Sequence, residues 1–516
     1  MRTSSLRLSP RSIGISHWTL CLLVIVGCVL QHIAAGFAMP APWPDESSFL
    51  WQAIAFQRHN TLYAPELNPL RDVLWMPPGY MFVIGTLFKI FGVSFALARA
   101  VSLVCIIGSF ILLAAILKKH PFPFISTALL GVAFLSSPMT AIGNTARMDS
   151  FLLFIASAGM YFFYRKRDYL ALALISFTPL IHPNGLFLCA AALGYVVTTK
   201  SWRKNKGSSR YCWRNIIAAF LFCASIACWI AYIAYMTRNW SGFLADMARQ
   251  FQHKGALADT LVSPGNLLFA LVIGGIIWYG WKTKIISALL AWFGGAMWLL
   301  YGVSTEAWYE CFYAVGFVLL FCASLPILIK FSHASFPAAT QTVPRTNMRV
   351  RATALLIVTL AIVSYTSINF YKSFTGAPFT SWFGMHAEDS GVPYKNANDI
   401  AAVKQYLAGL QRTFNSNPLQ PIQPRPRHLL VQFLPEADAL FYSDMETDSM
   451  KYCQGTLYPF NPDIYIIHSS RYITAFLKNT IDSALTTIGV FHSDTISILT
   501  TRDSTESWLV IQRTKN

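Results

Sequence analysis

Apolar residues along this chain fall in blocks of about 15–24, parted by short polar stretches that carry most of its charge. Blocks of that length form helices able to cross a hydrocarbon core about 30 Å thick. The pattern predicts spans at roughly 17–39, 96–117, 121–139, 148–164, 169–181, 184–199, 214–236, 264–281, 285–303, 308–329 and 352–371, about eleven in all. Tyr80–Phe91 is also apolar, but at about twelve residues it is too short to span and reads as an interfacial helix. The block 169–181 is short as well, which leaves re-entry around His182 open.

After Tyr371 the period changes. Asp399–Leu410 reads as an amphipathic helix and Arg471–Leu485 as helix-like. His428–Phe433, Asp463–His468 and Trp508–Arg513 read as strands, and Thr486–Thr500 as two strands around a polar turn. A small α/β domain over 372–516 fits, with Gln411–Arg427, rich in Pro, Asn and Gln, as its linker. There is no internal repeat.

Composition agrees. The 516 residues are 54% hydrophobic and 12% charged, against about 25% charged in soluble domains. The fold class is a polytopic α-helical membrane protein. Residues 1–16 carry Arg2, Arg7 and Arg11 and no acid. A cleaved signal peptide, with Gly36-Phe37-Ala38 as the cleavage site, is the rival reading of the first block, and Ile25-Val26-Gly27-Cys28 resembles a lipoprotein box. The apolar run continues well past Cys28, which favours an uncleaved span.

The net charge of +17 is unevenly spread. Residues 372–516 hold 12 basic and 13 acidic residues, and residues 1–371 hold 28 and 10. On the eleven-span reading, 20 of those 28 basic residues fall on one side, in clusters such as Lys118-Lys119, Arg165–Arg167 and 200–214, with Asp168 the only acid among them. That is the positive-inside pattern of a membrane protein rather than a phosphate-binding face, so no nucleic-acid partner is implied. It places 1–16 in the cytoplasm, and the first loop 40–95 and the domain 372–516 outside it. Nearly all ten cysteines lie inside apolar blocks and only Cys453 lies after residue 371, which fits neither a disulfide framework nor a zinc site.

The candidate chemistry gathers on the outer side. Asp45 and Glu46 precede an amphipathic helix, Ser47 to His59. They read either as first-turn acids offsetting the helix dipole or as a general base at the membrane surface. Asp149, at the mouth of the fourth span, has Arg147 as its obvious partner; the pair is a helix cap or a functional intramembrane charge. Arg99 either snorkels to the interface or supplies a cation at headgroup depth. His182, in His182-Pro183-Asn184, reads first as a structural hydrogen-bonding group. Glu306, Trp308, Tyr309 and Glu310 open span ten; belt aromatics would explain the rings but not the two acids. Arg238, Arg249, His253 and Lys254 lie in the loop 237–263 and face lipid headgroups or solvent.

The order of these features resembles a known family. One span is followed by an outer loop opening with Asp45-Glu46, then Pro77-Pro78-Gly79-Tyr80 entering the interfacial helix. Phe91-Gly92-Val93-Ser94 with Arg99 comes next, then Arg147-Met148-Asp149. Over about residues 15–330 this resembles membrane glycosyltransferases of the GT-C class, in the bacterial branch of the protein O-mannosyltransferase and aminoarabinose transferase superfamily (glycosyltransferase family 39, RgtA/B/C/D-like domain).

The resemblance implies a bacterial plasma-membrane enzyme with a polyprenyl-phosphate-linked sugar as donor. The acceptor would be a glycan, lipid or protein hydroxyl, and transfer would occur on the outer face. By the same resemblance Asp45, Glu46 and Asp149 are the catalytic acids, and Arg99 and Arg147 the cations at the donor phosphate. His182, Tyr309, Glu310 and Tyr80 are the substrate-binding residues. No cofactor is established; a divalent ion held by Asp45 and Asp149 is compatible with the resemblance. Met76 stands where many relatives have Lys, and Tyr309-Glu310 lacks the usual Arg-Tyr pairing; both bear on substrate identity. A transporter or lipid-linked-sugar flippase, which would need ionisable groups near the midplane, and a non-enzymatic assembly protein are the other readings.

Overall fold

The computed structural model describes residues 10–35, 44–62, 76–198, 209–237, 285–303 and 309–334, single positions at 241, 244 and 248, and strands at 428–432, 449–450, 464–469, 495–500 and 507–512. The expected spans 264–281 and 352–371, the helices 399–410 and 471–485, Glu306, Trp308, Arg238, Arg249, His253 and Lys254 lie outside them.

Thirteen helices form among the described residues. They are α1 (Pro10–Ala35), α2 (Pro44–His59), α3 (Gly79–Phe91), α4 (Phe95–Leu117), α5 (Pro123–Phe134), α6 (Ser137–Gly143), α7 (Met148–Tyr164), α8 (Asp168–Ser176), α9 (Thr178–Ile181), α10 (Gly185–Thr198), α11 (Ser209–Thr237), α12 (Ile285–Val303) and α13 (Glu310–Ala334). Their surface is inverted relative to a soluble protein. Leu22, Leu23, Ile33, Val104, Leu193, Val197 and Phe220 are exposed, whereas Arg99, Asp149 and Glu310 are at most 2% exposed. Apolar outside and ionisable inside is what a bilayer selects. Among the described residues Ala96–Leu117, at a mean hydropathy of 2.8, is the one helical stretch that meets both the length and the hydropathy of a span; the apolar parts described in other helices, such as His17–Ile33 and Glu310–Leu325, run 10–17 residues.

Two expected spans are broken. The block 121–139 is α5 followed by α6, parted at Leu135-Ser136. Pro138 has no backbone N–H to donate and fits only the first turn of a new helix. The Ala133 carbonyl near the end of α5 accepts both the Ser136 hydroxyl, 2.6 Å away, and the Ser136 N–H at 3.3 Å. The block 169–181 breaks at Phe177, with Pro179 in the first turn of α9. Thr178 Oγ1 serves both flanks, 2.6 Å from the Ile175 carbonyl and 3.0 Å from that of Gly185.

The segment between α1 and α4 does not cross the bundle. His32, near the end of α1, and Arg99, near the start of α4, interact electrostatically. At the other end, Lys118 Nζ lies 4.8 Å from the ring centroid of Trp18 on α1. So α2 and α3 both sit at one end. The 13 residues of α3 rise about 20 Å, short of a crossing. It packs on α2 through Gly85, where a Cβ would meet the Ala53 carbonyl at 2.9 Å. Gly92 then takes φ +83, a left-handed conformation that glycine adopts without strain. Ser94 Oγ accepts the Leu97 N–H at 3.3 Å to start α4. Phe91-Gly92-Val93-Ser94 is thus a helix stop and a helix start.

The strands form one mixed sheet, β1 (His428–Gln432), β2 (Ser449–Met450), β3 (Ile464–Ser469), β4 (Thr495–Thr500) and β5 (Ser507–Gln512), in the order β2-β1-β3-β5-β4. β1 is parallel to β2 and β3, and β5 is antiparallel to β3 and β4. Ile466 stands opposite Val431 on one side and Val510 on the other. The patterns at 428–433, 463–468 and 508–513 fall on β1, β3 and β5. Of the two strands expected over 486–500, β4 is the second; 486–494 lies outside the described residues.

Candidate functional site

Helix direction decides which residues can meet. The chain reaches the end of the bundle away from Lys118 at the close of α1, the start of α4, the turn 144–147, the turn 182–184 and the start of α13. Of the polar residues singled out in the sequence, Arg99, Arg147, Asp149, His182, Tyr309 and Glu310 lie at those points.

Arg147 and Asp149 form the centre. Arg147 is the extended residue before α7 (φ −125, ψ 151) and Asp149 lies in the first turn, where the helix dipole favours an anion. Arg147 Nε donates to Asp149 Oδ2 at 3.0 Å, with the two side chains 5% and 0% exposed. Asp149 Oδ1 is buried with no hydrogen-bond partner among the described residues. A buried carboxylate oxygen left in that state costs about 1–3 kcal/mol or more, so it marks a place where a polar group belongs.

The walls come from distant segments. The Arg147 guanidinium lies 5.7 Å from the ring centroid of Phe49 on α2. Asp149, Arg147 and Glu310 all act electrostatically on the buried Cys311 thiol, which puts the start of α13 beside the pair. Tyr80, at the start of α3, is buried with its ring centroid 6.4 Å from that of Phe151 on α7. Gly79 beside it is packed so closely that a Cβ would lie 2.6 Å from the Leu180 carbonyl oxygen. That contact sets α3 against the end of α9, next to His182.

His182 is 2% exposed and fixed at both ring nitrogens. Nδ1 accepts the Asn184 N–H at 3.0 Å, so the neutral ring carries its proton on Nε2 and directs it at the Tyr309 hydroxyl, 3.2 Å away. The structural role read from the sequence is present. The partner, 127 positions away, was not foreseen.

Arg99 departs from the snorkelling alternative, since it is fully buried. It stands with His32, whose Nδ1 meets the side-chain oxygen of Asn144. Asn144 is three residues from Arg147, so the two clusters adjoin. Asp45 and Glu46 lie in the first turn of α2, which starts at Pro44, three residues earlier than the pattern indicated. At 100° per residue Asp45, Phe49 and Gln52 share one stripe and Glu46 lies a quarter-turn away. Phe49 and Gln52 on that stripe are buried.

Two buried polar contacts, His32 with Asn144 and Gln52 with the Tyr232 hydroxyl of α11, involve residues that no sequence pattern singles out. Gln52 carried one signal, a polar residue seven positions after Asp45 with Phe49 between them on the stripe. Among the described residues no group of three or more His, Cys, Asp or Glu side chains could hold a metal ion.

No family model matches the chain. No curated protein matches it. Among solved structures it is similar to ArnT from Cupriavidus metallidurans bound to undecaprenyl phosphate, with TM-score 0.52 and 13% identity over 96% of this chain and 98% of that one. It is similar to the apo state of the same protein, with TM-score 0.50 and 14% identity over the same shares. The chain therefore has the fold of ArnT, the GT-C fold that the sequence resemblance implied.

Proposed function

We propose that this chain is an inverting glycosyltransferase. It moves a sugar from a polyprenyl-phosphate-linked donor to an acceptor hydroxyl, on a glycan, lipid or protein, at the outer face of a bacterial plasma membrane. The observation that supports this most is the buried Arg147–Asp149 pair with its spare carboxylate oxygen, set against Phe49 of the helix whose first turn holds Asp45, in a chain with the ArnT fold. The solved ArnT is bound to undecaprenyl phosphate, a lipid of the class proposed here as leaving group. The segregation of Lys and Arg supports the outward orientation of the site, the N-terminus on the inner side and residues 372–516 on the outer side.

The reaction is a displacement at the anomeric carbon. Asp45 takes the proton of the acceptor hydroxyl while its oxygen bonds to that carbon. The bond from carbon to phosphate oxygen breaks, polyprenyl phosphate leaves with the electron pair, and the configuration inverts. A positioned base contributes about 10²–10⁴-fold. Arg147 and Arg99 stabilise the departing phosphate in a site screened from water, where fixed charge acts most strongly. Asp149 Oδ1 accepts from a substrate hydroxyl, and Glu46 flanks the base. Tyr80 and the His182–Tyr309 pair, with Glu310, shape the sugar pocket. A divalent ion, if bound, would be held by Asp45 and Asp149 and would supply further positive charge toward the leaving phosphate.

Mass spectrometry of cell-envelope glycans and lipid-linked sugars, with and without this protein, tests the proposal. Loss of the protein should remove one sugar from an envelope product while its polyprenyl-phosphate precursor accumulates. Identical profiles would sink it.

A further inference from the structure

Gln52 is fully buried in α2, and its two polar atoms are treated differently. The carbonyl oxygen accepts from the Tyr232 hydroxyl on α11, 180 positions away. The amide nitrogen has no partner among the described residues. With the Tyr232 hydroxyl donating to the oxygen, the N–H2 is turned away from Tyr232 and open to another acceptor. An amide in that position is costly unless something polar meets it.

Its placement says what that is. Asp45, Phe49 and Gln52 follow one stripe of α2 at i, i+4 and i+7, and 45 to 52 spans about 10 Å along the axis. Phe49, between them, lies beneath the Arg147 guanidinium that pairs with Asp149. Phe56, one turn beyond, is occupied against α3, where its ring meets Phe82 at 4.9 Å. Gln52 is therefore the last buried polar position on the stripe shared with the proposed base, about 10 Å along the axis from it.

We propose that Gln52, held by Tyr232, determines which sugar is transferred: its amide N–H2 donates to one hydroxyl or ring oxygen of the donor sugar. This rests on the glycosyltransferase reading. Tyr232 is a positioning residue, acting through Gln52.

The test uses the full chain in lipid nanodiscs with a panel of polyprenyl-phosphate-linked hexoses and pentoses, then monodeoxy versions of the best donor. The wild type should lose about 10–100-fold in kcat/KM at one deoxy position, the range expected when a buried donor loses its acceptor. Gln52→Met should lose a similar factor on the full donor and no longer discriminate against that analogue, while still discriminating at other positions. If Gln52→Met fails to fold, Gln52→Glu keeps the shape and the oxygen for Tyr232 but lacks the N–H2, and should lose the same discrimination. Tyr232→Phe should raise KM more than it lowers kcat. Variants that discriminate like wild type at every position, or that lose activity equally on all donors, would overturn the assignment and leave Gln52 a water-bridged structural amide. A wild type that transfers from no donor in the panel would overturn the glycosyltransferase reading instead, and this inference with it.

Discussion

Arg147 and Asp149 make an asymmetric prediction. Both side chains are nearly or fully buried, and the pair is joined at 3.0 Å. Arg147→Met keeps the apolar cover over Phe49 but strands a carboxylate with no water to solvate it. Breaking a buried pair by removing one partner costs about 3–5 kcal/mol, whereas an exposed pair is worth about 0–1. Asp149→Asn takes the anion away from the buried guanidinium and should cost a similar amount. Replacing both, as Arg147→Met with Asp149→Leu, removes both desolvation penalties and should return stability close to wild type. The cycle should thus show a coupling of several kcal/mol, the size that separates contacting residues from independent ones. Reversible denaturant unfolding of the detergent-solubilised protein measures it, with sugar transfer assayed on the same samples. Stability should recover in the double variant and transfer should not, because the two groups proposed to hold the substrate are gone. Two results would refute the reasoning: single variants within about 1 kcal/mol of wild type, or a double variant that transfers normally.

Other expectations follow from particular contacts. Gly79→Val must push α3 away from the Leu180 carbonyl, which a Cβ would approach to 2.6 Å. Overpacking of that kind costs about 1–3 kcal/mol and should appear as a lowered unfolding midpoint together with lost activity. Tyr309→Phe removes one hydrogen bond and should cost about 0.5–1.5 kcal/mol; His182→Phe removes that bond and the one from the Asn184 N–H, so it should cost more, and the double variant no more than His182→Phe alone. A reporter fused after Lys119 should read cytoplasmic; an external reading would mean that α3 crosses the membrane.

Much of the architecture was legible because the bilayer restricts it. Apolar blocks long enough to span can do little else, and the uncrossed α3 followed from its length. The breaks at Leu135-Ser136 and Phe177 were not legible. Pro138 and Pro179 interrupt a helix without interrupting hydropathy, so an average over the block passes straight across them. Strands β1, β3 and β5 showed through their alternation, whereas the two residues of β2 are too few to carry a period. In the site, Arg147 and Asp149 could be paired on sight because two positions separate them. His32 with Asn144, His182 with Tyr309 and Gln52 with Tyr232 lie 112, 127 and 180 positions apart, and nothing local records such a contact. Arg99 lies one turn into an apolar helix, where snorkelling to the interface and a cation at headgroup depth were equally open readings. Packing of α1 and the 144–147 turn around the start of α4 buries it.

The central claim is that Asp45 is the base of a transfer from a polyprenyl-phosphate sugar. Its most direct measurement compares wild type with Asp45→Asn, purified and reconstituted in nanodiscs, by mass spectrometric detection of transferred sugar and released polyprenyl phosphate. The account predicts that Asp45→Asn retains the wild-type unfolding midpoint and loses at least about 10²-fold in turnover, the lower bound for a missing general base. A correctly folded Asp45→Asn that transfers at the wild-type rate would contradict it.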